Sequence, residues 1–233
     1  MSRFTGKAGL IGIAIGVIVL AGQISAGQDM AKRGHTQRPA GDVDDARMLA
    51  ASNEPENWLL NGGTFGGERY SLLDQINTVN VGRLQPAWYF EYDTTRGQEA
   101  EPIVVDGVMY VSTSWSKVYA LDAATGRQLW FYDPEVAGTD GAKACCDVVN
   151  RGVAVYEGKV FVGALDGRLI ALDARTGKVV WSTMTIDPDS MQTITGAPRV
   201  VRGKVIIGNA GADFGVRGHV SAYDAATGKL AWR

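Results

Sequence analysis

The stretch Ala120-Leu-Asp-Ala-Ala-Thr-Gly-Arg-Gln-Leu-Trp130 returns as Ala171-Leu-Asp-Ala-Arg-Thr-Gly-Lys-Val-Val-Trp181. It returns again as Ala222-Tyr-Asp-Ala-Ala-Thr-Gly-Lys-Leu-Ala-Trp232, with the three tryptophans 51 residues apart. A period near 50 residues with several strands per unit is that of β-propeller blades. Within a unit, Val118-Tyr-Ala-Leu-Asp122 alternates as a strand does, Ala123–Gly126 reads as a turn, and Arg127–Trp130 opens the next strand. Gly126, Gly177 and Gly228 supply the positive φ that such a hairpin needs. Upstream, Asp106-Gly-Val-Met-Tyr-Val111, Glu157-Gly-Lys-Val-Phe-Val162 and Arg202-Gly-Lys-Val-Ile-Ile207 give each unit a second hairpin. Each tryptophan is expected to fill the seam between neighbouring blades, a structural role.

Working outward, Trp88 in Leu84-Gln-Pro-Ala-Trp-Tyr-Phe90 ends a degenerate first unit. The predicted fold class is therefore all-β, a β-propeller of which about three to four blades are present over residues 55–233. Four to eight blades close a propeller, and each blade needs neighbours. Because the chain stops one residue after Trp232, it reads as the amino-terminal part of a longer protein. Composition agrees with short strands and tight turns. Among 233 residues there are 30 glycines, about 13% against a usual ~7%, together with 6 Trp and 8 Tyr. No Gly-X-Y period or heptad is present, which excludes collagen, a coiled coil and a helical bundle. A formal charge of −2, from 25 acidic and 23 basic residues, gives no basic excess for a nucleic-acid partner.

The amino terminus is a separate matter. Arg3 and Lys7 precede the apolar run Gly9–Gly22, and small residues follow at Ser25-Ala26-Gly27. This pattern predicts a secretory signal peptide over residues 1–26, cleaved near Ala26, with a periplasmic mature chain. An uncleaved anchor is the alternative, although 14 residues rise only about 21 Å as a helix against a hydrocarbon core of ~30 Å. Residues 27–54 form a polar leader, aperiodic and expected to be mobile up to residue 45. Asp44-Asp45 before Ala46-Arg-Met-Leu-Ala-Ala51 are placed to cap one short helix. His35 falls in this leader and receives no role.

Two insertions break the repeat. From Gly107 to Asp122 and from Gly158 to Asp173 there are 15 positions, but from Gly203 to Asp224 there are 21, the excess falling in Gly208–Gly218. Likewise Trp130 to Gly158 spans 28 positions where Trp181 to Gly203 spans 22, the excess falling around Asp140–Asp147. Loops that lengthen on a regular scaffold are where function is usually carried. The second insertion holds the two cysteines of the chain, adjacent at Cys145-Cys146. In an exported chain such thiols oxidise, and a bond between neighbours closes a small strained ring with almost no entropic stabilisation. Two unlinked thiols, or an intermolecular bond, are the other readings.

The segment Cys145-Cys-Asp-Val-Val-Asn-Arg-Gly152, combined with the Ala-x-Asp-x-x-Thr-Gly-x-x-x-Trp repeats, resembles the pyrroloquinoline quinone (PQQ) dependent alcohol dehydrogenases of the methanol/ethanol dehydrogenase family. Asn57-Trp-Leu-Leu-Asn-Gly-Gly-Thr-Phe-Gly-Gly-Glu-Arg-Tyr-Ser71 and Leu73-Asp-Gln-Ile-Asn77 fit the same family's opening segment. The resemblance implies an eight-bladed propeller with PQQ on its central axis, against a vicinal disulfide Cys145–Cys146. It implies that Glu99 hydrogen-bonds the quinone and that Arg151 makes the basic contact, which suits a cofactor bearing carboxylates. It further implies a hydroxyl contact from Thr195 and backbone contacts from Gly211 and Ala212.

Asp213 falls on the family's metal-ligand carboxylate, a position where Glu is usual. The shorter stem withdraws the oxygens by roughly 1–1.5 Å, which the flexible shell of Ca2+ tolerates; a lanthanide is the alternative ion. The implied activity is oxidation of a primary alcohol to an aldehyde by hydride transfer to PQQ, with electrons passed to a cytochrome c. The family's base Asp, its other metal ligands and the tryptophan under the quinone correspond to positions beyond Arg233, so no catalytic residue is assigned. Whether a haem c domain follows is open, as is the oligomeric state. The rival is a non-catalytic exported propeller scaffold of the outer-membrane assembly type. On that reading Glu99 is a solvated carboxylate, Arg151 a surface partner of Asp147, Thr195 a turn cap and Asp213 an Asx-turn residue. His219 reads as structural on either view.

Overall fold

The computed structural model describes residues 38–233. The expected signal segment 1–26 and leader residues 27–37, with His35, lie outside the described residues. Among the described residues, twelve strands form three antiparallel sheets of four, each a simple meander. The first blade contains β1 (Ile103–Val105), β2 (Val108–Ser112), β3 (Val118–Asp122) and β4 (Gln128–Tyr132). The second contains β5 (Ala154–Tyr156), β6 (Lys159–Gly163), β7 (Arg168–Asp173) and β8 (Val179–Met184). The third contains β9 (Arg199–Val201), β10 (Lys204–Gly208), β11 (Val220–Asp224) and β12 (Leu230–Trp232). The degenerate unit around Trp88 forms no sheet. It lies along the first blade, where Phe90 and Tyr92 pack on Tyr119 with ring centroids 5.4 and 5.3 Å apart.

The same local chemistry builds every blade. The first hairpin of each has a two-residue turn with both residues at positive φ: Asp106 and Gly107 at 49° and 82°, Glu157 and Gly158 at 44° and 72°, Arg202 and Gly203 at 47° and 67°. That is the type I′ geometry, which matches the right-handed twist of the flanking strands. At the third hairpin, the Asp122 carboxylate accepts the Thr125 N–H at 2.9 Å and the Thr125 hydroxyl at 2.8 Å. Asp173 with Thr176 and Asp224 with Thr227 repeat the arrangement. The threonine hydroxyls, assisted by the turn amides, hold all three aspartates below the usual carboxylate range.

The tryptophans then join blade to blade. Trp130 Nε1 donates to the Ala174 carbonyl of the next blade at 2.9 Å, and Trp181 Nε1 to Ala225 at 3.2 Å. Trp88 does the same to Ala123 of the first blade at 3.1 Å. Tyr110 and Phe161 back Trp130 and Trp181 within their own blades, with centroids 5.9 and 5.7 Å apart.

Part of the leader is held firmly, contrary to the expectation of mobility up to residue 45. Asp44 caps the helix α1 (Asp45–Leu49), accepting the Arg47 N–H at 2.7 Å. Residues 41–47 cross the first hairpins of all three blades. Gly158 N–H donates to Gly41 and Glu157 N–H to Val43, Tyr156 and the Arg202 N–H donate to the Asp45 carboxylate, and Arg47 reaches Asp106. The buried Arg47 guanidinium also grips Glu54 at 2.7 Å.

Arg47 holds the Glu54 carboxyl below its ordinary range. A depressed carboxylate contributes stability above its unfolded pKa, here about 4.3, and loses it as pH falls through the folded value. The acid-unfolding midpoint is therefore expected to rise in an Arg47→Met protein, followed by tryptophan fluorescence between pH 6 and 2. An unchanged midpoint rejects the strap as an acid-sensitive tie.

Candidate PQQ site

The inner strands β1, β5 and β9 are approached by three short segments that lie side by side. Glu101 and Gly152 form a parallel bridge, and the Arg151 N–H donates to the Thr195 carbonyl at 2.9 Å. Glu99, Arg151 and Thr195 thus lie three or four residues before the first strands of successive blades. Their side chains meet. Arg151 Nη2 lies 2.9 Å from Glu99 Oε2, and Nη1 donates to Thr195 Oγ1 at 2.7 Å. Asp147 does not pair with Arg151; it binds Arg96 at 2.7 Å instead. That leaves the whole fork of Arg151 to the Glu99–Thr195 side.

The two insertions, far apart in sequence, come together above this row. The β4–β5 connection carries Cys145 and Cys146, and the β10–β11 connection carries the single 3-10 turn Ala212–Phe214. Between them lies a cavity of about 200 Å³ whose wall includes Cys145, Cys146, Arg151, Thr195, Gly211 and Asp213. Glu99 is tied to it through Arg151, whereas Ala212 stands outside the wall on the exposed side of its turn. Lys143, Val149, Thr193 and Phe214 also line the cavity and were not expected. Nothing in their own sequence surroundings marks them, because they enter only through the meeting of the two loops. A larger groove of about 480 Å³, between α1 and residues 63–72, contains none of the expected site residues.

Gly211 shows why the second loop has its shape. Its φ is 124°, and a Cβ there would stand 2.7 Å from the Met191 carbonyl oxygen. Only glycine lets the chain pass this close and still begin the turn that presents Asp213. The two cysteines stand as neighbouring thiols with Sγ atoms 2.6 Å apart. The neighbouring Cys146 thiol, and after it the Asp213 carboxylate, push the Cys145 thiol up to about 11. Asp213 and both cysteines line the same cavity. His219 is structural, its Nε2 lying 3.3 Å from the Thr185 carbonyl.

The donor set suits a flat, polyanionic quinone. A guanidinium, a hydroxyl and a carboxylate form one polar row, and a sulfur pair lies across a narrow cavity from loop residues. Among the described residues, no group of three or more His, Cys, Asp or Glu is placed to hold a metal ion. This chain's described residues thus offer a metal the Asp213 carboxylate and no preformed cage.

Four-stranded blades locked by tryptophan onto the following turn define β-propeller blades. The family model for the PQQ β-propeller domain of glucose, ethanol and alcohol dehydrogenases matches residues 58–233. The chain belongs to that family. It is 59% identical over 194 residues to the quinohemoprotein alcohol dehydrogenase ADH IIB of Pseudomonas putida, covering 83% of this chain and 28% of that protein. The crystal structure of the quinohemoprotein alcohol dehydrogenase from Comamonas testosteroni superimposes with a TM-score of 0.80 at 54% identity, over 83% of this chain and 29% of that one. A europium-containing methanol dehydrogenase gives 0.77 at 45% identity, over 80% of this chain and 33% of that one. The chain therefore spans a third or less of the length of these relatives.

Proposed function

We propose that this chain forms part of a periplasmic quinoprotein dehydrogenase that oxidises a primary alcohol to an aldehyde and passes the electrons to a cytochrome c. The observation that carries the reading is Arg151, clamped between Glu99 and Thr195 at the mouth of a cavity walled by Cys145 and Cys146. A non-catalytic scaffold has no use for that arrangement. The acceptor is supported by a relative named 1-butanol dehydrogenase (cytochrome c) from Thauera butanivorans, 61% identical over 168 residues. Export is supported by the signal pattern of residues 1–26.

When bound, PQQ supplies the two-electron acceptor chemistry, and the chain's own residues bind and orient it. Arg151 would hold a carboxylate of the cofactor through its planar fork. Thr195 would donate its hydroxyl, since Arg151 already fills the acceptor side of that oxygen. Glu99 would hydrogen-bond the quinone, its Oε2 lying 2.9 Å from Arg151 Nη2. Gly211 and Ala212 would contribute backbone groups from the second loop. For the metal, calcium with a lanthanide as the alternative, Asp213 would be the ligand from this chain.

Protein purified from its native host should carry extractable PQQ with its quinone absorbance, and should reduce an artificial dye when given a primary alcohol. Absence of both overturns the reading.

The exported protein is further expected to contain a Cys145–Cys146 disulfide, since the thiols already lie side by side. Intact mass after alkylation should show no labelled cysteine before reduction and two after it. Two labelled cysteines without reductant reject the bond.

A further inference from the structure

Next to Arg151 in sequence stands Asn150, a polar side chain only 1% exposed. All of its amide capacity is used. Its Oδ1 accepts from Ser112 Oγ at 2.6 Å and from the Gly152 N–H at 3.1 Å. Its Nδ2 donates to the Gly163 carbonyl at 2.8 Å and to Ser116 Oγ at 3.3 Å. Ser112 ends β2 and Gly163 ends β6, so one side chain ties the first blade to the second directly behind Arg151.

The corner that Asn150 grips is itself unusual. Trp115 and Ser116 are consecutive non-glycine residues at positive φ, 64° and 59°. Such a pair is strained and persists only where its surroundings hold it. Here the holding is done by Ser116 Oγ, bonded to Asn150 Nδ2 and to the Leu165 N–H at 3.0 Å, and by the Trp115 N–H, bonded to the Val148 carbonyl at 2.9 Å. The Trp115 ring in turn rests on Gly141, where an added Cβ would lie 3.1 Å from it, within the loop that leads to Cys145 and Cys146. Asn150 is thus bonded to the backbone that carries Arg151 and to the corner that supports the cysteine loop.

We infer that Asn150 is a positioning residue for the cofactor site, setting the backbone from which Arg151 reaches Glu99 and Thr195. The inference rests on the PQQ reading and extends it to a side chain that touches neither the cavity nor the cofactor. A shorter side chain at this position leaves the Gly163 carbonyl and the Gly152 amide without their partner. The segment 150–152 then relaxes, and Arg151 loses its fixed aim.

The test is PQQ binding to apo protein prepared from the native host, measured by equilibrium dialysis, with chromosomal variants compared alongside wild type. Asn150→Ser is expected to raise the PQQ Kd about tenfold, comparable to the lower end of what loss of the partner behind a metal ligand costs. Ser112→Ala, which deletes only one donor to Oδ1, should give a smaller rise in the same direction. Because Asn150 acts through Arg151, adding Asn150→Ser to Arg151→Ala should change Kd by no more than about twofold. A residue that merely stabilises the fold would lower the unfolding midpoint without this non-additivity.

An unchanged Kd in Asn150→Ser, or full additivity with Arg151→Ala, overturns the inference. If Asn150→Ser is not recovered folded, an unchanged Kd in Ser112→Ala overturns it equally. Failure of the wild-type protein to bind PQQ at all is a different result, and it strikes the PQQ reading itself.

Discussion

Gly177→Ala is expected to destabilise the protein by about 2–5 kcal/mol, from a left-handed backbone penalty and from overpacking. Gly177 has a φ of 70°, and a Cβ there would stand 2.7 Å from Trp130 Cε3 and 2.8 Å from Cδ2. The indole cannot simply slide away. It is 8% exposed, its Nε1 is bonded to Ala174 at 2.9 Å, and Tyr110 packs beside it. Gly107→Ala separates the two contributions, because Gly107 has a φ of 82° but nothing within 4 Å of an added Cβ. It should cost only the backbone share, about 1–2 kcal/mol. Urea unfolding of the two variants checks this. Equal midpoints would mean that Trp130 yields to the methyl group, and the docking account would fall.

In protein from the native host, Arg151→Ala is expected to weaken PQQ binding roughly 10- to 100-fold, the range for losing a hydrogen bond to a charged group. Arg151→Lys should fall between the wild type and Arg151→Ala. It keeps the charge but cannot span Glu99 and a ligand with one planar fork. Glu99→Gln tests the other side of the pair. Because Glu99 holds the guanidinium at 2.9 Å, its loss should slacken Arg151 and raise the Kd less than Arg151→Ala does. Fluorescence titration of the apo proteins measures all three. A wild-type Kd in Arg151→Ala would remove this residue from the site, whatever the fate of the fold.

Strands, turns and the repeat are legible from residues alone because their causes are local. Asp122, Thr125 and Gly126 close one turn among themselves within five residues, so a short motif states its whole geometry. Asp106-Gly107 and its counterparts likewise announce a two-residue hairpin, and the Asp44 cap of α1 is visible for the same reason. The role of the tryptophans as seam fillers follows from size and period. Their partner does not: the indole of one blade meets the glycine of the next, so each repeat is completed outside itself.

The candidate site divides along the same line. The adjacent cysteines and the two insertions stand out in the sequence itself, whereas Glu99, Arg151 and Thr195 were implied only by the resemblance to the dehydrogenase family. No local rule says that Arg151 turns to Glu99 while Asp147 turns to Arg96, since either carboxylate has the charge and the separation in sequence is no guide to distance. Nor does any pattern reveal that residues 41–47 tie three hairpins together, or that Asn150 reaches Ser112, Ser116 and Gly163. Residue chemistry determines which turns and strands can form, because those bonds close over a few positions. Which carboxylate an arginine meets, and which loops share a cavity, depends on how the blades pack, and that is settled by contacts between residues such as Arg151 and Thr195, 44 positions apart, or Asp45 and Arg202, 157 apart.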